Sequence, residues 1–287
     1  MKPAAGALTA VILGFFASCA PLGSGKEAPR VRITFFDVGQ GDAALIEPPS
    51  GARFLVDAGP DSSGIDTLLD NRNIGRLNGL VITHAHADHY GGVRMVLRQC
   101  RADRVWIAPL CENIVSPEFR QLLEWITDTV KIDTASGIAG KALFRDGDKG
   151  AFFLSPAGPD TSGTQEGING TSCVLLFSFG KSRALFAGDI GFETEKQLLQ
   201  KGALGPVLIL KAGHHGSATS TSTAFLSALM PEAAVISVGA ANDYGHPDGE
   251  TLKRMAACGA RVFRTDLNGT VTIGLNEAGE MLIGNGD

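Results

Sequence analysis

The sequence has no Cys-x-x-Cys pair and only 5 cysteines in 287 residues, which argues against a zinc site built on paired thiolates. It also lacks an excess of positive charge. With 25 Lys and Arg against 30 Asp and Glu, the net charge is −5, which disfavours non-specific coating of duplex DNA by bulk attraction. Beyond the first stretch of the chain there is no run of eighteen apolar residues, so no later segment is long enough to cross a bilayer as a helix. Low-complexity tracts are absent as well. A content of 44% hydrophobic and 19% charged residues excludes a disordered or fibrous chain and is enough for a large core.

What is present begins with an export signal. Lys2 precedes an apolar run from Ala4 to Ala17, too short for a comfortable membrane span. The run ends in Phe16-Ala17-Ser18-Cys19, and this start resembles a bacterial lipoprotein signal, which implies that Cys19 carries lipid and becomes the mature N-terminus. The expected organisation is a signal peptide over 1–18, a Gly/Ser/Lys/Pro tether over 19–30 and a single domain over 31–287. The protein is then exported and anchored to a membrane by its N-terminus, facing the periplasm or the cell surface. An ordinary secretory signal with an incidental cysteine is the alternative. In an exported chain Cys100, Cys111, Cys173 and Cys258 permit disulfides, Cys100 with Cys111 among them; four buried thiols are the other reading.

Short β-branched and aromatic runs bounded by Gly and Pro predict strands at Val31–Phe36, Ala43–Glu47, Arg53–Val56, Gly79–Thr83 and Val105–Ala108. Others fall at Ala151–Leu154, Val174–Phe179, Arg183–Phe186, Val207–Leu210, Ala233–Ser237 and Arg261–Phe263. Helical periodicity covers Ile65–Asn71, Gly92–Arg101, Pro117–Thr129, Phe192–Lys201, Thr223–Leu229 and Gly249–Cys258. The hairpin at 44–57 is echoed at 174–186, and each copy runs into an Asp beside a Gly: Asp57 and Asp189. Two such halves predict an α/β fold with two mixed sheets face to face and helices outside.

All 6 histidines lie in polar, Gly-flanked segments at the ends of predicted strands. Thr83-His84-Ala85-His86-Ala87-Asp88-His89 puts four ligand-type side chains in six residues, which would repel one another without a cation. Asp189, in Ala187-Gly188-Asp189, offers two oxygens and can bridge two metals; a helix N-cap is its alternative role. Gly213-His214-His215-Gly216-Ser217 and Tyr244-Gly245-His246-Pro247 follow later strands, where sites of α/β proteins gather.

In order, Asp57, His84-x-His86-x-Asp88-His89, Asp189 and His214 resemble the motifs of the metallo-β-lactamase superfamily, a four-layer αββα sandwich. Phe36-Asp37-Val38-Gly39-Gln40-Gly41-Asp42 and the two later histidine segments are similar to the hydrolase-like domain of ComEC-type competence proteins, the DNA-uptake channels of transformable bacteria. The likeness runs from Val31 to Leu275. Two departures stand out. His86 replaces a carboxylate usual in that subfamily, and the superfamily's third histidine is missing, Asn169-Gly170-Thr171-Ser172 being the nearest match. No channel or oligonucleotide-binding module accompanies the region, so the expectation is the hydrolase part alone, exported on a tether.

The resemblance implies two divalent ions, Zn²⁺ or Mn²⁺. His84, His86 and Asp189 would hold one, and Asp88, His89, Asp189 and His214 the other, more tightly. It implies a metal-dependent phosphodiesterase or nuclease with metal-bound hydroxide as nucleophile. Asp88 would orient that nucleophile, and His215 or His246 would protonate the leaving oxygen. Asp57 would fix a ligand histidine, while Asp42, Asn169, Ser172, Ser217 and Tyr244 support ligands or touch substrate. Single-stranded DNA is the favoured partner, with Lys211, Lys181, Arg183, Arg261 and Arg264 expected near the cleft; no protein partner is legible. A small phosphodiester or choline-phosphate ester is the alternative substrate, followed by a β-lactam or a non-catalytic surface binding role.

Overall fold

The computed structural model describes residues 30–109, 115–130, 134–158, 164–202 and 204–285. The signal peptide, Cys19, most of the tether and Cys111 lie outside the described residues.

Alternation of apolar and small residues makes β1 (Val31–Phe35), β2 (Ala44–Glu47) and β3 (Phe54–Val56) an antiparallel ribbon, with Ile33 opposite Ile46 and Leu45 opposite Leu55. Helix α1 (Ile65–Asp70) leads through β4 (Arg76–Leu77) into β5 (Gly79–Ile82), which lies parallel to β3. The chain continues through α2 (Ala87–Tyr90), α3 (Val93–Gln99), β6 (Arg101–Ala102), β7 (Val105–Ile107), α4 (Pro117–Glu124) and β8 (Thr134–Ser136).

The second half repeats this plan. After β9 (Ala142–Asp146), β10 (Lys149–Ser155) and α5 (Gln165–Gly170), β11 (Val174–Phe179) and β12 (Ser182–Phe186) form a hairpin. Helix α6 (Phe192–Gln200) then leads to β13 (Ile209–Lys211), parallel to β12. Next come α7 (Thr223–Leu229), β14 (Ala233–Ile236), α8 (Gly249–Ala257), β15 (Arg261–Arg264) and α9 (Thr265–Asn268). The terminal hairpin β16 (Val271–Leu275) and β17 (Met281–Asn285) returns to pair with β1. The strand order is β17-β16-β1-β2-β3-β5-β7-β8 in one mixed sheet and β15-β14-β13-β12-β11-β10-β9 in the other.

Three apolar interfaces separate four layers. Phe35, Ile46, Phe153, Phe177 and Phe186 fill the space between the sheets, where the Phe35 and Phe186 rings stack at 5.9 Å. Leu45, Leu55 and Leu80 face the opposite way, against α1, α3 and α4. Leu185, Leu210 and Ile236 do the same beneath α6, α7 and α8. The period of two along each strand thus sends neighbouring residues into different interfaces. This is the αββα sandwich.

Several elements differ from expectation. The α-helix starting at Pro117 ends at Glu124, and the chain continues as a wider π-type segment over Trp125–Val130. The Thr127 hydroxyl donates to the Leu123 and Glu124 carbonyls (3.1 and 3.2 Å), an interaction that competes with regular helix bonding. Strands β9, β16 and β17 and helix α5 had no clear sequence signal. Gly274 interrupts the alternation of β16, and β9 is half charged or exposed. Cys100, Cys173 and Cys258 are free thiols, the first two buried.

Candidate metal centre

The cluster sits where parallel strands end. Asp57 follows β3, His84 follows β5, Asp189 follows β12 and His215 follows β13, so both halves deliver ligand-type side chains to one rim. Two of these positions and the neighbouring His214 are bent into left-handed backbone, with φ of +59° at Asp57, +47° at His214 and +50° at His215. Non-glycine residues take up that conformation at a cost of about 1–3 kcal/mol each, which surrounding structure must offset.

Asp57 is buried and fully engaged. Its carboxylate accepts from the Thr83 amide (2.8 Å), the Thr83 hydroxyl (2.7 Å) and Nδ1 of His89 (2.8 Å). That bond leaves Nε2 of His89 pointing inward, 3.3 Å from Asp189 Oδ2 and 3.9 Å from Asp88 Oδ2. Nε2 of His84 lies 3.7 Å from the same Asp189 oxygen and 3.1 Å from Nδ1 of His86. Nε2 of His215 lies 3.1 Å from Asp88 Oδ2 and 3.4 Å from Asp189 Oδ2. Its Nδ1 faces the Ser237 carbonyl at 3.0 Å and Asp42 Oδ1 at 3.4 Å.

Asp42 is itself braced by Lys211, whose ammonium is 2.6 Å from Oδ2 although the side chain sits in the interior, the residue being only 3% exposed. The Asp42 loop presses on α2: a Cβ at Gly41 (φ +142°) would lie 2.2 Å from the Asp88 carbonyl, so only glycine fits. Asp189 is placed by the Ser172 hydroxyl, which accepts from its amide at 3.1 Å. The N-cap of α6 is Gly191, not Asp189, so the Asp189 carboxylate is free to face the cluster.

The electrostatics are those of a cation site. Burial by itself raises the carboxyls of Asp189 and Asp88. His215 and His89 override it at Asp189, His89 and His215 at Asp88, and both are held below the usual range. Burial also raises Asp42, but Lys211 and His215 bring it down to about 2. Burial opposes protonation of His89 and His215, yet the carboxylates around them pull both well up. Burial and the neighbouring His89 depress His84. Among the described residues, His89 Nε2, His215 Nε2 and Asp189 Oδ1 are buried without a hydrogen-bond partner. Such orphaned atoms are costly unless something fills the space between them. His84, His89 and Asp189, and likewise Asp88, His89 and His215, bring ligand atoms within 4.8 Å of one another. Imidazole and carboxylate donors in this arrangement fit a divalent transition metal.

The neighbouring HisHis pair divides differently from the expected assignment. His215 faces the carboxylates, whereas His214 is absent from every such group and turns toward His246, ring centroids 5.5 Å apart. Two consecutive left-handed residues send the side chains apart, an arrangement that spacing alone does not reveal. Asn169 stands half-buried with its amide oxygen unpartnered, in a second cleft of about 510 Å³ that Asp189 and His214 also line. The Ser217 hydroxyl lies against that of Thr219 (3.2 Å), and its amide donates to the His214 carbonyl at 2.8 Å. His86, Asp88, Asp189, His215, His246 and Tyr244 border a larger cleft of about 890 Å³.

The basic residues expected near this cleft are elsewhere. Lys181 just precedes β12 and Arg183 lies near its start, at the end opposite Asp189, and Arg264 pairs with Asp266. Lys211 is buried against Asp42, and the cation bordering the larger cleft is Arg94, which the sequence reading did not single out. Arg94 lies over the Trp125 ring at 4.9 Å.

A four-layer sandwich with ligand-type His and Asp side chains gathered at its strand ends defines a metallohydrolase, and the chain belongs to the metallo-beta-lactamase superfamily, whose model matches residues 36–240. Among curated relatives it is 30% identical to ComE operon protein 3 of Bacillus subtilis over 83% of this chain and 32% of that protein. It is 32% identical to competence protein ComA of Neisseria gonorrhoeae over 86% of this chain and 33% of that protein. Both are of ComEC type, and the chain spans about a third of their length. Among solved structures, a CmlA beta-hydroxylase shares the fold at 15% identity with a TM-score of 0.58, covering 87% of this chain and 55% of that one. The metallo hydrolase Igni18 of Ignicoccus hospitalis does so at 17% identity with a TM-score of 0.51, covering 85% and 98%. Among the described residues no helix is long and apolar enough to cross a membrane.

Proposed function

We propose that this protein is a metal-dependent phosphodiesterase that cuts DNA outside the cytoplasm, held at a membrane by lipid on Cys19. The observation that supports it most is the convergence of unpartnered His89 Nε2, His215 Nε2 and Asp189 Oδ1, with Asp189 and His215 lining an open cleft of about 890 Å³. His84, His86 and Asp189 would hold one divalent ion, Zn²⁺ or Mn²⁺, and Asp88, His89, Asp189 and His215 a second. Ions bound there supply Lewis acidity toward a phosphoryl oxygen and a water of lowered pKa. The protein's own groups do the rest. Asp57 fixes the His89 ring so that Nε2 faces the site. Asp88 reaches the cleft and can orient the attacking water. His214 and His246, whose pKa values burial lowers, stand at the cleft wall within reach of a bound diester. The competence names of the relatives favour DNA over other diesters.

A small-molecule phosphodiester or choline-phosphate ester remains the competing substrate, because the net charge is −5 and the larger cleft's lining carries Arg94 but none of the other basic residues expected there. The test is hydrolysis of single-stranded DNA and of a chromogenic diester by the metal-loaded protein, beside Asp189→Asn. We expect both substrates to be cut, and the variant to lose metal and activity together. Cleavage of the small diester with intact DNA would transfer the function to the alternative. Cys19→Ser should move the protein from the membrane to the soluble fraction; unchanged partitioning rejects the lipid anchor.

A further inference from the structure

The loop after β14 shows an aromatic ring to solvent at the rim of the metal cleft. Tyr244 is 70% exposed, yet it borders the same cleft as Asp88, Asp189 and His215. One face of its ring lies against His246, with centroids 5.9 Å apart and planes 19° from parallel. The loop that carries it is rigidly tied. The Asn242 amide donates to the Gly239 and His246 carbonyls (2.8 and 2.7 Å), and its oxygen accepts from the Tyr244 and His246 amides (3.2 and 3.0 Å). Gly245, at φ +71°, supplies the left-handed turn between the two rings. An exposed tyrosine on a mobile loop would mean little, but four hydrogen bonds from one side chain hold this one in place.

The rings form a path to the centre. Tyr244 to His246, His246 to His214 and His214 to His215 are steps of 5.9, 5.5 and 6.2 Å. A planar group resting on Tyr244 is therefore a few residues of polymer from the ligand cluster. We infer that Tyr244, backed by His246, is a stacking platform for an unpaired nucleobase of the substrate strand, a few nucleotides from the phosphate being cut. Stacking on a π face tolerates any base, so the platform selects strandedness and not sequence. A duplex keeps its bases inside the stack and cannot use the platform without paying to unstack one. With few cations in the cleft lining, this contact supplies hold that charge does not.

The inference rests on the DNA-phosphodiesterase reading, so binding is measured apart from turnover. A short fluorescent single strand and the same strand with abasic sites are titrated into metal-loaded wild type, Tyr244→Phe and Tyr244→Ala, and anisotropy is read. The expected result is about tenfold weaker binding of the normal strand by Tyr244→Ala, little change in Tyr244→Phe, and equal binding of the abasic strand by all three. Duplex of the same sequence should bind wild type more weakly than the single strand. Equal binding of the normal strand by wild type and Tyr244→Ala overturns the platform, as does an equal loss on the abasic strand. A wild type that binds with this pattern but never cuts DNA would instead retire the DNA-cleaving function and leave the platform standing.

Discussion

At the scale of single residues, the HisHis pair decides most. His215 Nε2 is buried and faces Asp88 and Asp189, while His214 faces His246 and the cleft. His215→Ala should therefore strip metal along with activity, and His214→Ala should keep its metal and lose turnover, as metal analysis of the two purified variants will show. If His214→Ala comes out empty and His215→Ala full, the assignment is reversed. Asp57→Asn leaves the size unchanged but breaks the bond that orients His89, and metal affinity by titration calorimetry should drop about 10- to 100-fold. The gathering of ligand-type His and Asp side chains was legible in the sequence because H-x-H-x-D-H has few other uses. Which histidine of the pair pointed inward was not, since that depends on two consecutive φ angles near +50°. Thr83 and Asn242 were equally silent: their roles exist only through bonds to Asp57 and His246.

Among the elements, the hairpin echo was the informative signal. It placed Asp57 and Asp189 at equivalent strand ends, and β2-β3-β5 and β11-β12-β13 do share one antiparallel and one parallel pairing. The helix at Thr223–Leu229 was found at its true limits, and those at Phe192–Gln200 and Gly249–Ala257 to within one residue. The margin strands β8, β9 and β17 were missed, because each gains its order from one neighbour and carries little pattern of its own, whereas the margin strand β15 was expected. One contact between elements was invisible in sequence. The buried carboxylate of Glu195 on α6 accepts from the amides of Thr221 and Ser222, at the start of α7. Burial raises its pKa despite those bonds. Glu195→Ala leaves two amides without their acceptor and should cost about 2 kcal/mol in a denaturant titration, with metal content unchanged. A loss below about 0.5 kcal/mol would show that water replaces the carboxylate.

For the whole molecule, the charge map sets how a DNA strand would be held under the proposed function. Net charge is −5, and the basic residues on the second sheet lie away from the cleft or are paired. Few phosphates are then neutralised by side chains. With about two such contacts, affinity for single strands should fall less than about tenfold between 50 and 200 mM salt, as anisotropy at several salt concentrations will measure. A drop of a thousandfold would reveal a basic surface outside the described residues.

The pair of Lys211 and Asp42 has a consequence for the two halves. Asp42 belongs to the loop between β1 and β2, and Lys211 ends β13 in the opposite sheet. Each charge is tolerable in the interior only because the other is there; loss of either within the fold would leave its partner buried and unpaired. A chain nicked between its halves would yield two fragments that each carry a defect only the other can mend. Complementation, not independent survival, is the fate built into this seam.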